Sequence, residues 1–167
     1  MPPRPLSSDC DLESLYRTHA NALMALAFRL TGSSADAEDV LHDVFLGLPE
    51  AMRHYEERGS MASWLKRLTV RVALTRMRGE SRRREDSLDL LPEPARDGDA
   101  SRLGDREALA SALAALPDTL RAVFVLREVE GYSHSEIAAL LDISAGASAV
   151  RLSRAIRQLR LALEQMA

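Results

Sequence analysis

Apolar residues recur at helical spacing along most of the chain. Leu12, Leu15, Tyr16, Leu23, Leu26, Ala27 and Leu30 trace a stripe on one helix or a pair of helices, and Thr31-Gly32-Ser33 supplies a stop. Ser34 then precedes Ala35-Asp36-Ala37-Glu38-Asp39, an acid-rich first turn suited to the positive end of a helix dipole. Ala37, Val40, Leu41, Val44, Phe45 and Leu48 follow at i, i+3, i+4, i+7, i+8 and i+11, the cleanest amphipathic pattern in the chain. Pro49 is expected to interrupt or bend this helix, because proline lacks an amide donor and its ring crowds the preceding turn. A loop from His54 to Ser60, with Gly59 as its flexible point, leads to a third helix from Met61 to about Arg78. Met61, Trp64, Leu65, Leu68 and Val72 form its apolar stripe, whereas Arg67, Arg71, Thr75 and Arg78 share a different face.

The pattern then changes character. A basic run at Arg82-Arg83-Arg84 gives way to Asp, Pro, Gly and Ser up to about residue 104. A loop of this length is unusual inside one compact domain, so it reads as a linker between two. The expected division is a disordered terminus at residues 1–10, a first helical domain at 11–80, a linker at 81–104 and a second domain at 105–167. The second domain opens with a helix from Asp105 to Leu116, broken at Pro117, and a helix from Thr119 to Glu128 is ended by Gly131. Ser133-His134-Ser135-Glu136 has the spacing of a capping box and begins a short helix with Ile137, Ala138, Leu140 and Leu141 inward. After the turn Asp142-Ile143-Ser144, a last helix runs from Ala145 to about Gln165.

Composition supports an all-α chain: 46% of the 167 residues are hydrophobic and only 4% aromatic, with Ala and Leu abundant. The lone Cys10 has no partner for a disulfide, and no apolar run approaches the ~20 residues that span a bilayer. Met1-Pro2-Pro3-Arg4-Pro5 has no signal-peptide core behind it, so a cytoplasmic protein without membrane insertion is expected. The net charge of -3 argues against tight nucleic-acid binding by the chain alone, but the charges are unevenly placed. Acid gathers at Asp36, Glu38, Asp39, Asp43, Glu56 and Glu57, and base gathers from Arg67 to Arg84 and from Arg151 to Arg160. Two kinds of partner surface follow.

A short capped helix, a tight turn and a longer basic helix make a helix-turn-helix, whose second helix can enter the major groove. Arg151, Arg154, Arg157 and Arg160 recur every third residue and so cannot all face one groove. Arg151 and Arg154, nearest the helix start, are the candidates for DNA contact; Arg157 and Arg160 either touch phosphate or solvate the surface. The row Arg67, Arg71, Thr75 and Arg78, with Trp64 near its beginning, combines the cations and aromatic that single-stranded DNA requires. A single Trp on an apolar stripe also suits a core. His19, His42, His54 and His134 have no metal-ligand spacing, and no glycine-rich phosphate loop is present. No catalytic set, metal or cofactor is expected.

Asp36-Ala37-Glu38-Asp39-Val40-Leu41-His42-Asp43-Val44-Phe45 and Ala62-Ser63-Trp64-Leu65-Lys66-Arg67-Leu68 stand in the first block. Leu113-Ala114-Ala115-Leu116-Pro117, Val123 to Ser133 and Glu136-Ile137-Ala138-Ala139-Leu140-Leu141 stand in the second. In this order and separation they resemble the extracytoplasmic-function sigma factors of the sigma-70 family. The resemblance implies that Asp36, Glu38, Asp39, His42 and Asp43 dock on the clamp of core RNA polymerase. It further implies that Trp64, Lys66, Arg67, Arg71, Thr75 and Arg78 melt and read a minus-ten element, and that Ser144, Ala145, Gly146, Ser148, Ala149, Arg151 and Arg154 read a minus-thirty-five duplex. Promoter DNA and an anti-sigma factor are the further partners it implies, and the polymerase performs the chemistry.

The sequence departs from the family pattern in three places. Arg71 and Thr75 stand where Asn and Asp are frequent, Pro49 where a large aromatic is common, and Ala147-Ser148-Ala149-Val150 where Thr-Val-Lys-Ser is usual. With fewer side chains to bond base edges, upstream recognition is expected to be weak or shape-based. The residues alone also leave open a stand-alone helix-turn-helix repressor or activator, which would bind duplex DNA without polymerase.

Overall fold

The first apolar stripe forms a single helix, α1 (Asp9–Thr31), in the computed structural model, which describes residues 9–55, 59–86 and 104–167. The helix closes where Gly32 adopts φ +70° and donates to the Phe28 carbonyl at 2.8 Å, a backbone conformation that costs glycine least. Helix α2 (Ser34–Ala51) is capped by Ser33, whose hydroxyl accepts from the Asp36 amide at 3.4 Å.

Pro49 does not end α2. It lies inside the helix near its end, where only one amide is lost, and the ladder resumes at once because the Met52 amide donates to the Leu48 carbonyl. Leu48 is fully buried and anchors that last turn. A 3-10 turn (Met52–His54) follows, and residues 56–58, including Glu56 and Glu57 of the expected acidic group, lie outside the described residues. Helix α3 (Met61–Asp86) runs past the Arg78 at which its apolar stripe fades, because Ser81, Arg82 and Arg83, all exposed, are compatible with a solvated helix. The remainder of the expected linker, residues 87–103, and most of the terminus lie outside the described residues.

The second block comprises α4 (Asp105–Ala115), α5 (Asp118–Phe124), α6 (His134–Leu141) and α7 (Ala145–Met166). The helix expected from Thr119 to Glu128 widens into a π turn at Val125–Val129, closed by the Glu130 amide on the Val125 carbonyl at 3.0 Å. Gly131 then turns the chain at φ +77°. Ser133 and Glu136 form the anticipated capping box: the Ser133 hydroxyl accepts from the Glu136 amide at 3.1 Å, and the Glu136 carboxylate accepts from the Ser133 amide at 2.8 Å. Asp142, at φ 54°, makes the left-handed turn between α6 and α7.

Each block has its own apolar cluster. Leu23, Leu41, Leu48 and Leu65 form one in the first, with Trp64 packed against it; Ala112, Leu113, Leu116, Leu120, Ala155 and Leu159 form one in the second. A third, larger cluster belongs to both: Leu26, Leu30, Val40, Val44, Val70 and Leu74 pack with Val123, Val125, Leu126 and Ile137. The two helical domains therefore meet along a shared core. Arg121 crosses the same boundary at 2% exposure. Its guanidinium donates to the Leu30 and Thr31 carbonyls, each at 2.9 Å, and to the Leu116 carbonyl at 2.8 Å, and pairs with Asp118.

Leu126 has no exposed surface. Leu126→Ala should lower stability by about 3 kcal/mol in urea unfolding, the usual cost of such a cavity. Trp64 is the chain's only tryptophan and sits in the other domain, so its fluorescence midpoint should fall together with the circular-dichroism midpoint. An unchanged Trp64 midpoint would show that the shared core does not couple the domains.

Candidate nucleic-acid interface

Three surfaces emerge from these elements. On α2 the apolar positions Ala37, Val40, Leu41, Val44 and Leu48 are buried, which turns Glu38, Asp39, His42 and Asp43 to solvent. Asp36, in the first turn, is half-buried. Asp39 and Asp43 are not free carboxylates: Arg76 of α3 donates to Asp39 at 2.7 Å and to Asp43 at 3.2 Å. Arg76 also lies 3.7 Å from Glu80, one turn on. Sequence spacing could not reveal the part Arg76 plays here, since Asp39 and Asp43 lie on a different helix. The outward face is completed by Leu46, 67% exposed one turn beyond His42, an apolar side chain set among acids.

On α3 the four predicted positions Arg67, Arg71, Thr75 and Arg78 are all exposed and share one face, while Leu65, Thr69, Val70, Ala73 and Leu74 are buried on the other. Thr69 is satisfied by donating to the Leu65 carbonyl at 2.8 Å. Lys66 is exposed beside the row. Trp64 packs as a lone tryptophan on an apolar stripe is expected to. Its ring is half-buried against the first-domain cluster and meets Tyr55 edge-on at 5.0 Å, so its packing is spent within the protein. The exposed face of the helix therefore carries the cationic row and Lys66 without an aromatic ring.

In the helix-turn-helix, Ser144 caps α7 by accepting from the Ala147 amide at 3.0 Å. Ala145, Gly146, Ala149 and Val150 are exposed at the start of that helix, and Arg154, Arg157 and Arg160 along it. Arg151 is half-buried at the edge of this face. Ser148, taken from the sequence as a base contact, is wholly buried instead: it points into the junction of α6 and α7, 2.9 Å from Nδ1 of His134. A helical wheel explains the shift, because Ser148 shares its side with the buried Ala155 and Leu159. The same wheel puts Arg157 beside Gly146, Val150 and Ser153, which reading from the helix start alone had left undecided.

The described residues contain no group of three or more His, Cys, Asp or Glu side chains arranged to hold a metal ion, and no helix among them is long and apolar enough to cross a membrane. Residues 15–83 match the family model "Sigma-70 region 2", and residues 106–159 match "Sigma-70, region 4". The chain is 35% identical over 159 residues to the ECF RNA polymerase sigma factor SigE of Mycolicibacterium smegmatis, an alignment covering 89% of this chain and 60% of that relative's length. It is 33% identical over 162 residues to the ECF RNA polymerase sigma factor SigL of Mycobacterium tuberculosis, covering 93% and 90% of the two chains. Its fold is similar to that of the sigma factor RpoE solved with the anti-sigma factor NepR from Bartonella quintana. The TM-score is 0.63 at 24% identity, with 92% of this chain and 97% of that one covered.

The burial of Ser148 separates a folding role from a binding role. Ser148→Ala removes the hydrogen bond to His134 and should cost about 1 kcal/mol in thermal or urea unfolding. Duplex affinity measured below the transition should be unchanged, and a loss of affinity without a loss of stability would restore Ser148 to the binding surface.

Proposed function

The chain belongs to the extracytoplasmic-function RNA polymerase sigma factors, and from that premise we propose that it binds core polymerase and directs promoter recognition, melting and initiation at specific genes. The observation that carries the reading is the division of surfaces. One helix of the first domain presents acids around an exposed leucine, its neighbour presents a cationic row, and the second domain presents a separate helix-turn-helix.

Glu38, Asp39, His42, Asp43 and Leu46 dock on the polymerase. Arg76 holds two of these acids in place, so the docking face is pre-arranged, and Leu46 supplies the apolar anchor that charged rims lack. Arg67, Arg71, Arg78 and Lys66 neutralise the phosphates of the separated minus-ten strand, with Thr75 the neutral member of the row. Arg71 is donor-only and Thr75 carries no charge, so base preference differs from that of family members with Asn and Asp there. At the upstream duplex, Ala145, Gly146, Ala149 and Val150 offer backbone donors and apolar contact, and Arg154 and Arg157 reach phosphate. Ser144 and Arg151 border that face. The polymerase supplies the chemistry of synthesis, and the protein acts in the compartment that holds it. An anti-sigma protein is a further proposed partner, by analogy with the RpoE–NepR complex.

Run-off transcription with purified core polymerase tests the reading. Initiation should require the chain, and Leu46→Arg should weaken polymerase binding about tenfold, the loss of one apolar anchor, without changing thermal stability. Asp39→Arg is a poorer probe, because it also breaks the Arg76 bridge. Duplex binding without polymerase, and no initiation in its presence, would instead identify a repressor. On active promoters, upstream base changes should reduce transcription less than downstream ones, and equal losses would contradict weak upstream readout.

A further inference from the structure

Helices α1 and α4 meet without filling the space between them. Ala25, Phe28, Arg29 and Gly32 line the α1 side at i, i+3, i+4 and i+7, so they share one face. Arg106, Leu109, Ala110 and Leu113 line the α4 side at the same spacing. Between the two runs a half-open trough of about 310 Å³, within the ~300–1,000 Å³ of small-molecule sites. Its length follows from the spacing, since seven residues of helix rise about 10 Å. The trough shares no residue with the acidic face of α2, the cationic row of α3 or the exposed start of α7.

Its lining is apolar and under-filled. Leu113 is buried and Phe28 half-buried, whereas Leu109 is 39% exposed, a large apolar side chain that an apolar occupant would take out of water. Ala25, Gly32 and Ala110 stand where bulkier residues would close the gap. Among the described residues the ionisable groups that line it are Arg29 and Arg106, with no carboxylate. Arg106 is exposed, and the neighbouring Glu107 is spent on the Gly104 amide at 3.2 Å. The donors of Arg29 are poorly used. Nη2 lies 3.5 Å from Glu130, at the outer limit of a hydrogen bond, and Nε is shut off from solvent with no partner among the described residues. A donor in that state carries a desolvation cost that an incoming acceptor relieves.

We propose that this trough binds a small amphiphilic anion free in solution, its apolar chain lying against Phe28, Leu109 and Leu113 and its acid group held by Arg29 and Arg106. A guanidinium presents a planar fork that suits a carboxylate, and Arg106 reaches in on a flexible exposed side chain. A neutral amphiphile gains burial alone, and a cationic one is repelled by both arginines. The volume suits one short chain and excludes a diacyl lipid. Because an occupant touches α1 and α4 together, it binds the folded chain and not the unfolded one, and so raises the unfolding midpoint by mass action.

The test uses the full chain and sodium octanoate below its micelle concentration, with octanol and octyltrimethylammonium as neutral and cationic counterparts. Isothermal titration calorimetry should show one octanoate per chain with a Kd of about 0.5 mM. Octanol should bind about tenfold more weakly, the factor that one charge-assisted hydrogen bond is worth, and the ammonium not measurably. Arg106→Gln should bring octanoate down toward octanol and leave octanol unchanged. Ala110→Trp, which fills the trough from an exposed position, should abolish binding of both with an unaltered circular-dichroism spectrum. Saturating octanoate should raise the thermal midpoint of the unaltered chain and not that of Ala110→Trp. Equal affinity for all three amphiphiles, or octanoate binding that survives Ala110→Trp, overturns the proposal. Absence of octanoate binding overturns it as well, and capture of the chain by phosphatidylglycerol vesicles in that case identifies a membrane surface instead. None of these readouts depends on the chain's action with polymerase.

Discussion

Every helix ends with carbonyls that have no partner inside it, and a helix end buried against another domain must find donors there. In this chain the end of α1 finds them in Arg121, a residue of the second domain. A buried guanidinium is itself costly unless its donors are used, and here they are spent on the Leu30, Thr31 and Leu116 carbonyls and on Asp118. Each side of the contact relieves a penalty that the other would otherwise carry. The apolar cluster of Leu26, Leu30, Val123 and Leu126 then packs around a junction whose polar atoms are satisfied.

That junction also orders the surfaces. Burying one side of α2 and α3 in shared clusters forces their acids and cations outward on different faces, which is how an overall negative chain carries an exposed cationic row. Arg76 pairs with Asp39 and Asp43 across the two helices, while Arg67 and Arg71 stay exposed. In the second domain the caps Ser133 and Ser144 fix where α6 and α7 begin, and the His134–Ser148 hydrogen bond holds their crossing. The exposed start of α7 is thus presented by a small, internally bonded unit.

Much of this was legible in local pattern. The α2 stripe, the Ser133 capping box, the Arg67 to Arg78 row and the two-block order all follow from spacings within one helix or one turn, where sequence neighbours are spatial neighbours. What was not legible depends on distant partners. Pro49 remains helical because buried Leu48 holds the last turn. Ser148 turns inward to His134, fourteen residues earlier. Arg121 looks in sequence like one more surface arginine in a helix. Only the approach of α1 makes it the most buried charge among the described residues. The shared core has the same origin, since a linker-like composition between two blocks says nothing about how their apolar faces meet.

The most direct measurement of the central claim is permanganate reactivity of promoter thymines in the presence of core polymerase and this chain. Thymines in the minus-ten region should become reactive only when both proteins are present, and Arg67→Ala with Arg71→Ala should suppress that reactivity while polymerase binding persists. Reactivity that is the same without the chain, or unaltered by losing both arginines, would contradict the assignment of α3 as the strand-binding helix.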